Sequence, residues 1–279
     1  MSPALPPDLF DTRRRALRLG RARLDQASFL HDRAADNALE TIAATNRDFG
    51  QGLDLSDHAG LVSARAAEHG VGVAFAPARI EALSEGAGAA LIVSVLSLHW
   101  VSDLPGALVR IRRALRPDGL FLGSMLGGTT LGELRQVLME AELEILGGTG
   151  PRISPFADGF DGAALLQRAG FALPVCEVDR VSVRYGSVSA LMHDLRLMGE
   201  THVPPGPVRP LRRDVLARAE ALYRERFSDE EGRLKASFDI IHLAGWGPDE
   251  SQQKPLRRGS ARVRLADALG VREHTGDDG

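Results

Sequence analysis

Cysteine is almost absent from this chain of 279 residues, where Cys176 stands alone. A single thiol excludes an internal disulfide and any cysteine-based zinc or iron–sulfur site. Lysine is nearly missing too: Lys235 and Lys254 are the only two, so arginine supplies almost all of the 34 basic residues. Aromatic residues make up 5% of the chain, and no apolar run is long enough to cross a bilayer. No integral membrane segment is therefore expected. The net charge of −3 supplies no strong field, which argues against nucleic acid or an anionic membrane as a partner. The histidines are scattered and the carboxylates unclustered, so no metal site is expected. The first twenty residues lack the apolar core of a secretory signal, and Asp8 and Asp11 argue against a mitochondrial presequence. With one thiol suited to a reducing compartment, the expected location is the cytoplasm.

What is present is apolar material, 44% of residues, enough for one large core. Residues 8–46 carry a helical period through Leu17, Leu24 and Leu30, then Ala35, Leu39 and Ile42. Arg13, Arg14 and Arg15 read as the solvated face of that helix, with a partner or acidic-lipid patch as the alternative. Residues 52–55 read as a buried strand, 61–69 as a short helix and 71–75 as a second strand. The continuous apolar run at 89–96 predicts a strand buried on both faces, hence a parallel sheet under helices. A helix over 104–115 follows, capped by Asp103 with Pro105 in its first turn. Arg116-Pro117-Asp118-Gly119 reads as a turn and 120–126 as a strand. Further helices are predicted at 131–146, 162–169, 187–200 and 214–227, with a strand at 173–183 and a proline-rich loop at 203–210. The alternating stretch 237–246 predicts an antiparallel edge strand. This rhythm gives an α/β, doubly wound, mostly parallel sheet with right-handed crossovers. The predicted organisation is a helical N-terminal extension (1–46), a main domain (47–270) with a lid inserted around 184–235, and a flexible tail (271–279).

The chain is organised around residues 49–60, where a strand, a tight turn and a helix start follow one another. Unpaired helix N–H groups then point at the turn, which suits a small anionic or polar ligand. Several further blocks carry a resemblance. They are Leu96-Ser97-Leu98-His99-Trp100-Val101-Ser102-Asp103-Leu104-Pro105, Leu115-Arg116-Pro117-Asp118-Gly119 and Met125-Leu126-Gly127-Gly128-Thr129-Thr130-Leu131 with Glu133-Leu134-Arg135. To these add Ser154-Pro155-Phe156, Arg168-Ala169-Gly170-Phe171, Asp194-Leu195 with Met198-Gly199-Glu200, and a tail of Gly245-Trp246, Glu250-Ser251-Gln252, Lys254-Pro255 and Arg258-Gly259-Ser260-Ala261. Together they resemble the S-adenosylmethionine (SAM) methyltransferase-fold family related to the mitochondrial complex I assembly arginine hydroxylase. The malonyl-carrier-protein methyltransferase of biotin synthesis is a more distant relative. The resemblance implies a class I, Rossmann-like methyltransferase fold, SAM as cofactor, and a respiratory complex I subunit as protein substrate or partner.

On that pattern, Asp54, Ser56, His58, Gly60, Ser94 and Leu96 are the expected cofactor-binding positions. The loop departs from it, because Ser56 and His58 stand where the family has glycine. The stretch between Gly60 and Leu91 is also short for a helix, a strand, a helix and a strand, since one βαβ unit takes about thirty residues. The strand there is followed by Ala76-Pro77-Ala78, so no carboxylate stands where the family grips the ribose, and Glu81 and Glu85 fall on a helix or loop. Each lost charge-assisted bond is worth roughly 1.5–3 kcal/mol. SAM binding is therefore expected to be severely weakened or lost.

His99 is the candidate catalytic residue, as an acid/base group or substrate contact, with Trp100 as a wall of the substrate pocket. Both also read as core residues, with His99 satisfied by the backbone. Gly127-Gly128-Thr129-Thr130 reads as an anion nest or as a helix cap, and Glu200 and His202 as lid residues. Two functions compete: a SAM-dependent enzyme, by methyl transfer or arginine hydroxylation, with a degenerate cofactor loop, and a non-catalytic assembly or partner-binding protein.

Overall fold

The apolar run beginning at Ala89 lies at the middle of the sheet, where its lack of alternation requires it to be: Leu91, Ile92 and Val93 are fully enclosed. The computed structural model describes residues 8–154, 156 and 162–253. Its strands are β1 (Gln51–Asp54), β2 (Ala74–Pro77), β3 (Ala89–Ser94), β4 (Leu115–Leu126), β5 (Ala172–Tyr185) and β6 (Leu234–Trp246). They form one sheet in the order β2-β1-β3-β4-β6-β5. β1 to β4 run parallel, and β6 is antiparallel to both of its neighbours. Between β1 and β3 the chain forms one strand only, as the short spacing predicted.

The antiparallel strand expected at the edge is β6, and it lies one place in, with β5 outside it. Burial explains the order. β6 is enclosed on both faces from Phe238 to Leu243, whereas β5 alternates and leaves Val175 and Val178 exposed. The Arg116–Gly119 turn is absorbed into β4 as an irregularity, with Asp118 at φ 59° and the pairing with β3 shifted between Ala89 and Leu91.

The helices are α1 (Thr12–Leu19), α2 (Phe29–Ala44), α3 (Leu61–Glu68), α4 (Leu104–Ala114), α5 (Gly132–Leu146), α6 (Gly162–Arg168), α7 (Val188–Leu197) and α8 (Arg213–Phe227). They cover the sheet over two apolar cores, one shared with α2, α5, α7 and α8 and one with α4 and α6. The N-terminal extension is two helices, broken between Leu19 and Phe29. α2 buries Leu39 and Ile42 at the predicted spacing, but Leu17 on α1 faces solvent. Within the region expected to form a lid, α7 and α8 are built into the larger core through Val188, Leu191, Val215 and Tyr223. Asp103 caps α4 by accepting from the Gly106 N–H at 3.0 Å, and Pro105 sits in the first turn. Asp103→Ala should cost about 1 kcal/mol of unfolding free energy, measured by urea denaturation.

The chain divides into two compact units, Met1–Pro248 and Asp249–Gly279, and the sheet and helices belong to the first. In the second, the described residues form a short turn in which the Ser251 hydroxyl donates to Asp249. Lys254-Pro255, Arg258-Gly259-Ser260-Ala261 and the tail over 271–279 lie outside the described residues, as does Pro155 of the Ser154-Pro155-Phe156 block. No helix among the described residues is long and apolar enough to cross a membrane.

Candidate functional site at the carboxyl edge of the sheet

β1 and β3 end side by side, and the segments after them meet. Asp54 is buried at the end of β1 and accepts from the Ser56 N–H at 2.9 Å. Burial pushes its carboxyl group up, and the bonds from Ser56 pull it back. Its side chain thus holds the backbone of the turn. Ser56 Oγ accepts from the Val95 N–H at 2.8 Å, and the Asp57 N–H donates to Ser97 Oγ at 2.8 Å. The turn after β1 is thus tied directly to the segment after β3. Gly60, at φ 86°, begins α3, and its left-handed conformation suits glycine.

Around this turn lies a charged cluster centred on Glu200, a buried residue just beyond α7. The Leu126 N–H donates to His99 Nδ1 at 3.3 Å, which leaves Nε2–H of His99 to donate to Glu200 Oε2 at 2.7 Å. Trp100 Nε1–H donates to the same oxygen at 3.1 Å. Arg15 Nη2 is 3.4 Å from Glu200 Oε1 and 2.8 Å from Asp57 Oδ2, while its Nη1 donates to the Gly199 carbonyl at 2.5 Å. The Arg15 guanidinium lies 4.2 Å above the centre of the Trp100 ring. Burial acts to raise the Glu200 carboxyl group, but His99 and Arg15 outweigh it and hold the group down at about 2.

His58 closes the cluster on one side. Its Nε2 donates to the Met198 carbonyl at 3.1 Å, and its ring meets His31 edge-on at 4.8 Å. His31 is wholly enclosed and neither ring nitrogen has a hydrogen-bond partner. Burial, the largest cause, brings it down to about 3, so it stays neutral.

Two of the expected cofactor positions, Leu96 and Ser94, have no bond to the turn after β1 among the described contacts. Leu96, at φ 44°, is buried with its N–H on Ser124 Oγ at 2.9 Å. Ser94 lines a cavity of about 260 Å³ together with residues of α2, β4 and β6. A second cavity, about 270 Å³, opens beside Trp100 and Glu200 and runs past His202 and Phe156 to Leu134. His202 Nδ1 bonds Ser154 Oγ at 2.8 Å there, and its Nε2 has no partner. Neither cavity is lined by residues 54–60. Gly127-Gly128-Thr129-Thr130 is a strap between β4 and β6: the Gly127 N–H donates to Asp239 O at 2.7 Å and the Thr129 hydroxyl to the Asp239 carboxylate.

β2 ends in Ala76-Pro77 with no carboxylate, Ser56 and His58 hold protein partners, and Arg15 is bonded to Asp57 within the turn. The sequence pairs His99 with Trp100 at a strand end and sets Glu200 on a lid; the structure brings all three together and adds Arg15, His31 and Asp57. Arg15 was assigned to a solvated face; it is buried because Asp57, Gly199 and Glu200 supply acceptors for its guanidinium.

The strand order, the turn after β1 and the inserted antiparallel β6 define a class I SAM-methyltransferase fold. Residues 42–123 match a family model described as a methyltransferase domain. Over 177 residues the chain is 45% identical to the arginine-hydroxylase NDUFAF5, mitochondrial, of Danio rerio, covering 63% of this chain and 55% of that protein. The human protein of the same name is also 45% identical over 177 residues, covering 63% of this chain and 51% of that protein. The malonyl-acyl-carrier-protein O-methyltransferase of Halorhodospira halophila is 32% identical over 183 residues, covering 65% of this chain and 59% of that protein. The chain spans about half the length of the curated relatives it matches. It is similar to both groups, as the sequence blocks implied. The expected cytoplasmic location does not stand, because the relatives at 45–46% identity are named mitochondrial.

Proposed function

We propose that this chain is a non-catalytic member of the SAM-methyltransferase-fold group that acts in respiratory complex I assembly by engaging a protein subunit. The observation that carries the reading is the direct tie between the segments after β1 and β3, at Ser56–Val95 and Asp57–Ser97, with Arg15 bonded to the turn. A ligand lying over that edge needs those side chains to let go, and β2 offers no carboxylate to replace them. The cavity beside Trp100 and Glu200 is the place for a side chain of the partner. The role in assembly rests on likeness to the NDUFAF5 proteins.

A second reading, a working SAM-dependent enzyme, is favoured by the 45% identity to proteins named arginine-hydroxylase. In that case Trp100 and Glu200 would face the substrate through the same cavity, with His99 behind them on Glu200. Calorimetry separates the two. Titration of the purified chain with SAM and with its demethylated product is expected to give no heat at millimolar ligand. Binding with a micromolar Kd would overturn the non-catalytic reading.

A further inference from the structure

α2 covers the sheet beside β4 and β6 without filling the space between. Ala34, Asn37, Ala38 and Thr41 border that space, and their spacing of three and four puts them on one face of the helix. Ala34 and Ala38 are buried but too short to reach the strands. Opposite them the sheet presents a single face. Leu120 pairs with Trp246, Leu122 with Ala244 and Ser124 with His242. Across β6, Glu177 pairs with His242 in turn. Directly opposed residues of neighbouring strands share a face, so all of these turn toward α2. They line the cavity of about 260 Å³. Asp57, His99, Trp100 and Glu200 do not line it, so it is separate from the site at the carboxyl edge.

The strand register sorts the lining by chemistry. Trp246 and Leu120 stand at one end, Leu122 and Ala244 in the middle, and the polar row Ser124, His242 and Glu177 at the other end. His242 is 8% exposed, and its Nε2 has no hydrogen-bond partner among the described residues. Burial, the largest cause, pushes its imidazole down, so the ring is neutral at neutral pH. Ser124 Oγ accepts the Leu96 N–H at 2.9 Å, which leaves its own hydrogen to be donated. Glu177 is exposed and marks the mouth. No arginine or lysine lines the cavity among the described residues. The cations beside it are matched already: Arg33 is bonded to Asp179 at 2.9 Å, and Arg47, over the Trp246 ring at 5.1 Å, is paired with Asp118.

We propose that this cavity is a binding site for a small uncharged ring compound carrying a hydroxyl group, with the ring between Ala38, Leu122 and Trp246 and the hydroxyl on His242 Nε2 and Ser124. A hydroxyl both donates and accepts, so it suits either tautomer of a neutral imidazole and still takes the Ser124 hydrogen. An ammonium has no lone pair for Ser124, and a carboxylate meets Glu177 with no cation to hold it. An apolar cavity of about 150 Å³ holds a benzene, so this larger one has room for two fused rings.

The probe is 5-indanol, with indane and indane-5-carboxylate as controls, followed by calorimetry and thermal unfolding of the full chain at neutral pH. 5-Indanol is expected to bind saturably with a Kd of about 1 mM or below and to raise the Tm. Indane should bind about fivefold more weakly, for want of the hydroxyl, and the carboxylate should not bind. His242→Leu should bring 5-indanol down to the affinity of indane. Ala38→Leu places a good helix former in the empty space, so it should keep the Tm and lose the binding of both compounds. No saturable binding by the unaltered chain overturns the proposal. Equal affinity for 5-indanol and indane does so as well, and so does undiminished binding by Ala38→Leu, which would put the compound elsewhere. If His242→Leu does not fold, the comparison of 5-indanol with indane on the unaltered chain tests the same hydrogen bond.

Discussion

Glu200→Ala is expected to lower the unfolding free energy by about 3–5 kcal/mol, the range seen when one partner of a buried charged network is removed. Glu200 receives His99 Nε2–H at 2.7 Å and Trp100 Nε1–H at 3.1 Å, and it lies 3.4 Å from Arg15. Truncation leaves a buried imidazole N–H and an indole N–H without an acceptor, and takes one of two anions from a buried guanidinium. Glu200→Gln keeps the shape and one acceptor but loses the charge, so roughly half of that loss is expected. Urea denaturation at pH 7.5, followed by Trp fluorescence, measures both. A loss below about 1 kcal/mol for Glu200→Ala would show that water reaches the cluster and that the network is not what holds α1 and the segment after α7 in place.

Acid is expected to destabilise this protein well before its carboxylates titrate. His31 is held at about 3 in the folded state by burial, against about 6.5 in an unfolded chain. Below pH 6.5 the unfolded chain takes up a proton that the folded chain refuses until about pH 3. The stability from this group is complete above pH 6.5 and falls by about 1.4 kcal/mol per pH unit below it. Between pH 6.5 and 4.5, His31 alone removes roughly 2–3 kcal/mol. His58, His202 and His242 are shifted down by burial as well and act in the same direction. Glu200, held at about 2, contributes stability above the ordinary carboxylate range and loses it as pH falls toward 2, so it adds to the loss only below about pH 4.5. Urea denaturation between pH 7.5 and 4.5 should show the slope, and His31→Leu should flatten it by about one proton. A flat profile in the unaltered chain would mean that His31 is reached by water or gains a partner.

Much of the fold was legible because its signals are local. The unbroken apolar run at Ala89 announces a central parallel strand, Asp103 and Pro105 announce the start of α4, and the short span from Gly60 to Leu91 announces a missing strand. The place of β6 was less legible. Its alternation suggested an edge, but burial from Phe238 to Leu243 put it inside β5.

The amino-acid sequence alone determined the α/β rhythm, the altered turn at Ser56 and His58, and the lack of a carboxylate after β2, since each is a matter of residue type and spacing. Only the tertiary structure decided what stands in front of that turn. Arg15 meets partners 42 and 185 residues away, and no local period encodes such a meeting. A short arginine-rich helix looks solvated until acceptors from distant segments converge on one guanidinium and repay its burial.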